Sequence, residues 1–383
     1  MDPYRVQVEV HYPLTQAARL EAEPFLIERG LDPERDVELM VLVRYDGRIA
    51  ASASLWGNII KEVAVDPLLE GEGLAAIAIS RIITEAHDRN RSLLRVFTAP
   101  KNRLIFESLG FVLLASSEND RSNAKASAPG AILMESDRRS FYRWVDSTIA
   151  ELSRQGYPGV PTRPDTVVTS SPGDLIPQQQ HVVGSVVVNC NPFTLGHRSL
   201  IERASARCGT LVVFVLEADK SSFPAAVRLD LVRQGTADLP NVAVIPSGPY
   251  LISEATFPTY FLKEKSRATE VHARLDVQLF GTRIAPSLGI TARFMGTEPY
   301  CPVTNLYNSL MKELLPPLGI EAVELPRAEA DGKAISASSV REALRTGDWQ
   351  TLKSLVPETT LRYLQSPEAA EVIKKIIAGT TRH

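Results

Sequence analysis

The residues of this chain best suited to chemistry stand in the run Asn189-Cys190-Asn191-Pro192-Phe193-Thr194-Leu195-Gly196-His197. An apolar run at 182–188 leads straight into it, and a helical pattern through Leu200, Ile201 and Ala204 leaves it. A strand that opens onto a helix start offers free backbone N–H groups and the positive end of the helix dipole, and both favour phosphate. Gly196 would let the backbone approach a phosphoryl group, and His197 would offer a ring N–H to developing charge. Far downstream, Ile335-Ser336-Ala337-Ser338-Ser339-Val340-Arg341 runs into helical Glu342-Ala343-Leu344. Ser339 and Glu342 have capping-box spacing, which predicts a helix start there. Its hydroxyls and N–H groups, with Arg341 one turn in, would make a second anion site suited to β- and γ-phosphates.

Positioning two such helix starts takes a core, and 383 residues leave room for two or three domains at roughly 150 residues each. A content of 44% hydrophobic and 23% charged residues is ordinary for a globular protein and excludes disordered or collagen-like chains. Lys plus Arg at 42 against Asp plus Glu at 45 leaves −3, so no nucleic-acid partner is expected. Met1 to Tyr12 lacks the basic-then-apolar pattern of an export signal, and no apolar run approaches a membrane span. Cys190, Cys208 and Cys301 fit reduced thiols better than a disulfide framework. The expectation is a cytoplasmic protein with no membrane partner.

The elements change rhythm along the chain. Up to about residue 115, apolar or alternating runs at 5–12, 38–45 and 48–56, an Asp46-Gly47 turn, and helical periodicity at 17–29 and 74–87 predict an α+β domain with a mainly antiparallel sheet. Beyond residue 181, apolar runs at 182–188, 211–216, 242–245, 290–295 and 322–325 alternate with helix-like segments. That predicts an α/β domain with a doubly wound parallel sheet. Residues 116–130 are small and polar, and 155–180 are rich in proline, so both read as loop or linker. The boundaries follow: a first domain over 1–130, a helix and Pro-rich linker over 131–180, and a second domain over 181–383 with a helical tail.

Thr194-Leu195-Gly196-His197, taken with Ile335 to Arg341, resembles the paired signatures of the nucleotidyltransferase superfamily. Its members join an acceptor oxygen to the α-phosphate of a nucleoside triphosphate and expel pyrophosphate. Thr194 stands where the commoner form has a histidine, as in the pantetheine-phosphate adenylyltransferase branch, and Ser338 replaces a usual threonine. Over about 184–345, the Asn189 to His197 run, Ser247 to Pro258, and Gly296-Thr297-Glu298-Pro299 together resemble the citrate lyase ligase family. That resemblance implies activation of acetate by ATP and acetylation of the thiol of the coenzyme-A-like prosthetic group on the acyl carrier subunit of citrate lyase. It implies His197 and Thr194 stabilising transition-state charge, Ser338 and Arg341 holding pyrophosphate, and Asn191, Gly196, Ser336, Gly296 and Glu298 about the nucleotide. Mg²⁺ is expected with ATP, and its protein ligands are unknown.

In the first half, Leu68-Leu69-Glu70-Gly71-Glu72-Gly73-Leu74 opens a helix, and two glycines there suit a pyrophosphate cradle. With Asn102 to Phe111 they resemble the GNAT acetyltransferase fold, which implies that Gly71, Gly73 and Asn102 meet a CoA-like arm. Leu68 replaces a basic or amide residue of that family, Glu72 puts negative charge into the loop, and Phe106 replaces the tyrosine that commonly protonates the leaving thiol. The expectation is recognition of the arm or its carrier without acetyl transfer from coenzyme A. Arg228 and Lys220 read as surface charge, and the other histidines have no metal-ligand spacing. Rival readings are a ligase for another carrier such as that of malonate decarboxylase, an adenylyltransferase acting on a phosphate acceptor, and a non-catalytic carrier-binding protein.

Overall fold

The computed structural model describes residues 3–117, 130–157, 182–217, 221–251, 265–298, 301–330 and 333–379, and the chain divides into two compact units. The first comprises Met1–Tyr142 and Phe257–Leu279. Its strands are β1 (Val6–His11), β2 (Leu39–Tyr45), β3 (Arg48–Trp56), β4 (Ile59–Val65), β5 (Arg95–Thr98), β6 (Val112–Ser116) and β7 (Ile132–Glu135). They form one sheet in the order β1-β2-β3-β4-β5-β7-β6, antiparallel except for β4 beside β5. Asp46 and Gly47 both take positive φ, 52° and 77°, the turn that matches strand twist in a two-residue hairpin. Helices α1 (Gln16–Glu28) and α2 (Leu74–Asp88) cover the sheet, and a short α3 (Arg103–Ser108) precedes β6. Ala78, Ile79 and Ile82 of α2 join Leu39, Val41 and Val96 in the core. Parallel pairing of β4 with β5 stops at Ile60 with Val96, so their carboxyl-terminal halves part below the glycine loop and Asn102.

Strand β7 lies beyond the expected boundary at residue 130. Its four residues are all buried, and it pairs with both β5 and β6 as an interior strand. The helix read over this region begins only at Ser140, as α4 (Ser140–Arg154). Glu62, buried in β4, sits at positive φ beside a bulge. It is satisfied by both Arg19 guanidinium nitrogens at 2.8 and 2.9 Å, by Ser54 at 2.8 Å and by the Glu34 N–H at 2.8 Å. A buried carboxylate persists only with such a full set of donors.

The second unit, Arg143–Thr256 and Phe280–His383, holds β8 (Val183–Val188), α5 (Leu195–Ser205), β9 (Thr210–Val215), α6 (Ala225–Gly235) and β10 (Val242–Pro246). The next helix, α7 (Lys265–Leu279), belongs to the first unit and packs on β6. After a π-turn and α8 (Ala285–Ser287), the second unit continues with β11 (Ala292–Gly296), α9 (Pro302–Leu314) and β12 (Glu321–Leu325). Its sheet is wholly parallel, ordered β10-β9-β8-β11-β12. Beyond the two-residue strands β13 (Glu329–Ala330) and β14 (Lys333–Ala334) come α10 (Ala337–Thr346), α11 (Trp349–Leu355), α12 (Glu358–Gln365) and α13 (Ala370–Ala378). The tail packs inward: Leu352, Leu361, Leu364 and Ile376 share a cluster with Ile335, Val340 and Phe223.

Candidate active site

Strand order reverses between β8 and β11, and ligands of doubly wound sheets bind outside the carboxyl ends of strands at such a point. From β8 the chain passes through a cis Asn191–Pro192 peptide to Thr194, the N-cap of α5. The Thr194 hydroxyl accepts the His197 N–H at 3.3 Å, while the Thr194 N–H donates to His197 Nδ1 at 3.2 Å. Because Nδ1 accepts, the neutral ring carries its proton on Nε2. Burial first, and the positive charge of Arg327 second, lower the His197 pKa from 6.5 to about 4. The ring also stacks on Phe193, 18° from parallel. Thr194 itself is 1% exposed, so it orients His197 from behind.

The second motif starts α10 three residues earlier than its sequence spacing implied. Ser336 is the cap, accepting the Ser339 N–H at 3.0 Å, and Ser339 is the third helical residue. The two motifs meet through buried atoms. A Cβ on Gly196 would stand 2.9 Å from the Ile335 carbonyl oxygen, so glycine is needed there for close packing of α5 on the second motif. Arg341, 5% exposed, donates from Nη1 to the Asn191 carbonyl at 2.5 Å and from Nη2 to Ser338 Oγ at 3.2 Å. The Asn191 side chain in turn accepts the Phe223 N–H at 3.0 Å, and Thr360 of α12 donates to the Phe193 carbonyl at 3.0 Å.

The end of β11 completes this rim. Gly296 faces Leu200 of α5, and Glu298 pairs with Arg327 at 2.8 Å. Arg327 went unnoticed in the sequence, although its place just past the apolar run at 322–325 marks it as a strand-end residue. Arg228 is corrected: the side chain read as surface charge is fully buried. It donates to carbonyls of Phe223, Asn189 and Leu216 at 2.9, 2.8 and 2.5 Å and so ties the first motif to its neighbours. Lys220, Ile252 to Pro258 and Pro299 lie outside the described residues. Cys190 is buried, and burial pushes its thiol pKa up, which leaves it inert as a nucleophile.

Gly71, Gly73 and Asn102 belong to the first unit. Both glycines are exposed at positive φ, 87° and 82°, with open space where a Cβ would stand, and Gly73 caps α2. Asn102 donates to Thr98 Oγ1 at 2.8 Å, fixing the turn after β5.

A parallel sheet of this order, with two helix starts joined at its carboxyl edge and a donor histidine on the first, defines a nucleotidyltransferase-type domain. Residues 183–364 match the family model of the citrate lyase ligase C-terminal domain. The chain belongs to the citrate lyase ligase family. It is 38% identical over 363 residues to the [Citrate [pro-3S]-lyase] ligase of Klebsiella pneumoniae, covering 94% of this chain and 96% of the relative. It is 36% identical to the Escherichia coli protein of that name, over 90% of each chain. A stretch of 56 residues is 46% identical to phosphopantetheine adenylyltransferase of Dehalococcoides mccartyi, covering 14% of this chain and 35% of that protein. Among solved structures, an IAA acetyltransferase from Bacillus cereus aligns with 34% of this chain and 97% of its own, at 14% identity and a TM-score of 0.26. The fold of each unit rests on its strand order. Among the described residues no helix is long and apolar enough to cross a membrane.

Proposed function

We propose that this chain is a cytoplasmic ligase that activates acetate with ATP and acetylates the CoA-like thiol on the acyl carrier subunit of citrate lyase, releasing AMP and pyrophosphate. The observation that carries the reading is the junction of the Thr194 to His197 and Ser336 to Arg341 helix starts at the sheet's switch point, with His197 held as a neutral Nε2 donor. Family membership over nearly the whole chain supports the choice of carrier. An acetate oxygen attacks the α-phosphorus, the bond to the bridging oxygen breaks, and pyrophosphate leaves with the electron pair. His197 Nε2–H donates to an equatorial oxygen as charge builds there. Thr194 fixes that ring, and Asn191 and Gly196 shape the loop. Ser336 and Ser338, backed by Arg341, present the second helix start to the departing phosphates, while Gly296 and Glu298 border the nucleoside. The carrier's thiol sulfur then attacks the acetyl carbonyl, AMP departs, and the thiol proton passes to solvent.

Mg²⁺ on the triphosphate would neutralise charge on the leaving group. Among the described residues no group of three or more His, Cys, Asp or Glu could hold a metal. In the first unit, Gly71, Gly73 and Asn102 stand at the parted ends of β4 and β5, which supports a role in receiving the carrier's CoA-like arm.

The test is pyrophosphate release from Mg²⁺ and ATP with acetate, malonate or no acid, with and without deacetylated citrate lyase carrier. Release that requires acetate, rises with carrier and leaves an acetyl thioester is the expected result. Release without acid would indicate a phosphate acceptor, and carrier binding with no release under any condition would indicate a binding protein. His197→Ala should lower kcat about two to three orders of magnitude, as loss of one preorganised donor does. Near-normal turnover would remove His197 from the mechanism.

A further inference from the structure

Two arginines stand near the motif junction, and their surroundings differ. Arg341 is 5% exposed, with its N–H groups on the Asn191 carbonyl and Ser338, so it holds the first motif's loop against α10. The Arg327 side chain is 28% exposed, on the rim formed by the ends of β11 and β12. Its main chain is pinned from three sides. The Arg327 N–H donates to Thr297 Oγ1 at 3.1 Å, Arg203 of α5 donates to the preceding Pro326 carbonyl at 2.7 Å, and the Ile335 N–H donates to the following Ala328 carbonyl at 3.1 Å. Ile335 is the residue whose carbonyl crowds Gly196. Arg327 therefore sprouts from a segment clamped between the two phosphate motifs, and its charge reaches His197. Among the described residues its guanidinium pairs with Glu298 at 2.8 Å, and the arginine side of that contact, 28% exposed against 11% for Glu298, is the one open to water.

A partly exposed ion pair is held weakly, whereas a triphosphate offers several charged acceptors to one planar guanidinium. We propose that Arg327 leaves Glu298 when ATP binds and grips the β- and γ-phosphates, with Glu298 as the counter-ion that keeps the arm in place between turnovers. The assignment rests on the ATP-dependent reading of this site. It divides the labour of the two arginines: Arg341 positions the loop, and Arg327 touches the leaving group.

The probe is inorganic pyrophosphate, which has no nucleoside for Glu298 to border, titrated calorimetrically into the full-length protein and four variants checked by thermal melts. Arg327→Ala should weaken pyrophosphate binding and raise KM for ATP about ten- to hundredfold, the loss of one charge-assisted contact. Arg327→Lys should recover part of that loss. Glu298→Gln should move pyrophosphate affinity the opposite way, tightening it severalfold, because a competing carboxylate is gone. Arg341→Lys should lower the melting temperature. If Arg327 only braces Glu298, Arg327→Ala and Glu298→Gln shift pyrophosphate affinity in the same direction or not at all, and the proposal falls. A wild-type protein that turns over ATP while Arg327→Ala keeps its pyrophosphate affinity overturns this assignment alone. A wild type that binds neither pyrophosphate nor ATP overturns the ATP reading with it. Should Arg327→Ala melt too low to assay, the Glu298→Gln and Arg327→Lys pair still decides.

Discussion

At the scale of single residues, the state of His197 sets how this enzyme should respond to pH. An imidazole held near 4 by burial and by Arg327 stays neutral through the physiological range, a donor through Nε2 that does not titrate. Profiles of kcat/KM against pH should therefore show no limb near 6.5 from this ring, and an NMR titration of the ring carbons should place its protonation near pH 4. A limb at 6.5 that disappears in His197→Gln would contradict the neutral-donor assignment. The same shift has a consequence for stability. The unfolded chain binds a proton on this ring below about pH 6.5 and the folded chain only below about 4, so stability is full above the upper value and drains as pH falls through that window. The slope is at most about 1.4 kcal/mol per pH unit for the ring, and buried His272, shifted the same way by burial, adds to it. Urea melts at pH 7, 5.5 and 4.5 would register this as a falling midpoint, steeper than in His197→Gln.

At the scale of elements, the junction of α5 with the second motif is the feature to disturb. Gly196→Ala places a methyl 2.9 Å from the Ile335 carbonyl, and backbone cannot yield as a flexible side chain can. The expected cost is about 1–3 kcal/mol of stability together with a loss of turnover greater than that destabilisation explains. Unchanged kcat at a lowered melting temperature would show that the junction serves folding alone. How far such elements could be read in advance followed from how local their causes are. The five parallel strands and both helix starts were legible because apolar runs and caps are written in neighbouring residues. The cap at Ser336 was misplaced by three positions because Ser336 and Ser339 are both plausible caps, and only the chain path selects between them. Strand β7 escaped notice because four residues after a long polar excursion carry little pattern, and its place between β5 and β6 is set by the whole sheet. Arg228 looked like a solvated charge, and Arg341 like a phosphate ligand, because nothing in an arginine's neighbours announces that distant carbonyls will surround it. Gly196 was expected at the site, yet what demands glycine there is a carbonyl well over a hundred residues away in the chain.

At the scale of the whole molecule, two units with separate cores invite separate loss of function. The first unit departs from a working acetyltransferase where the chemistry would lie. Phe106 is fully buried and packs edge-on against Phe111 at 5.3 Å, so the place of a proton-donating tyrosine has been absorbed into the core. Leu68 is 92% exposed beside the glycine loop, where a polar or basic side chain would face a pyrophosphate, and acidic Glu70 and Glu72 flank Gly71. What persists is the conformation of the loop, since Gly71 and Gly73 both hold positive φ with nothing near a Cβ. On the proposed reading this loop receives the carrier's arm while the other unit activates acetate. Gly73→Val puts a β-branched residue where φ is 82°, a strain of roughly 1–3 kcal/mol confined to the cap of α2. The variant should raise KM for the carrier at least severalfold. Acetate-dependent pyrophosphate release with hydroxylamine in place of the carrier thiol should stay within about twofold of wild type, because that half-reaction needs only the nucleotidyltransferase site. Equal losses in both assays, at an intact melting temperature, would mean that the first unit takes part in adenylate formation. Unchanged values in both would leave the glycine loop without a role in carrier recognition.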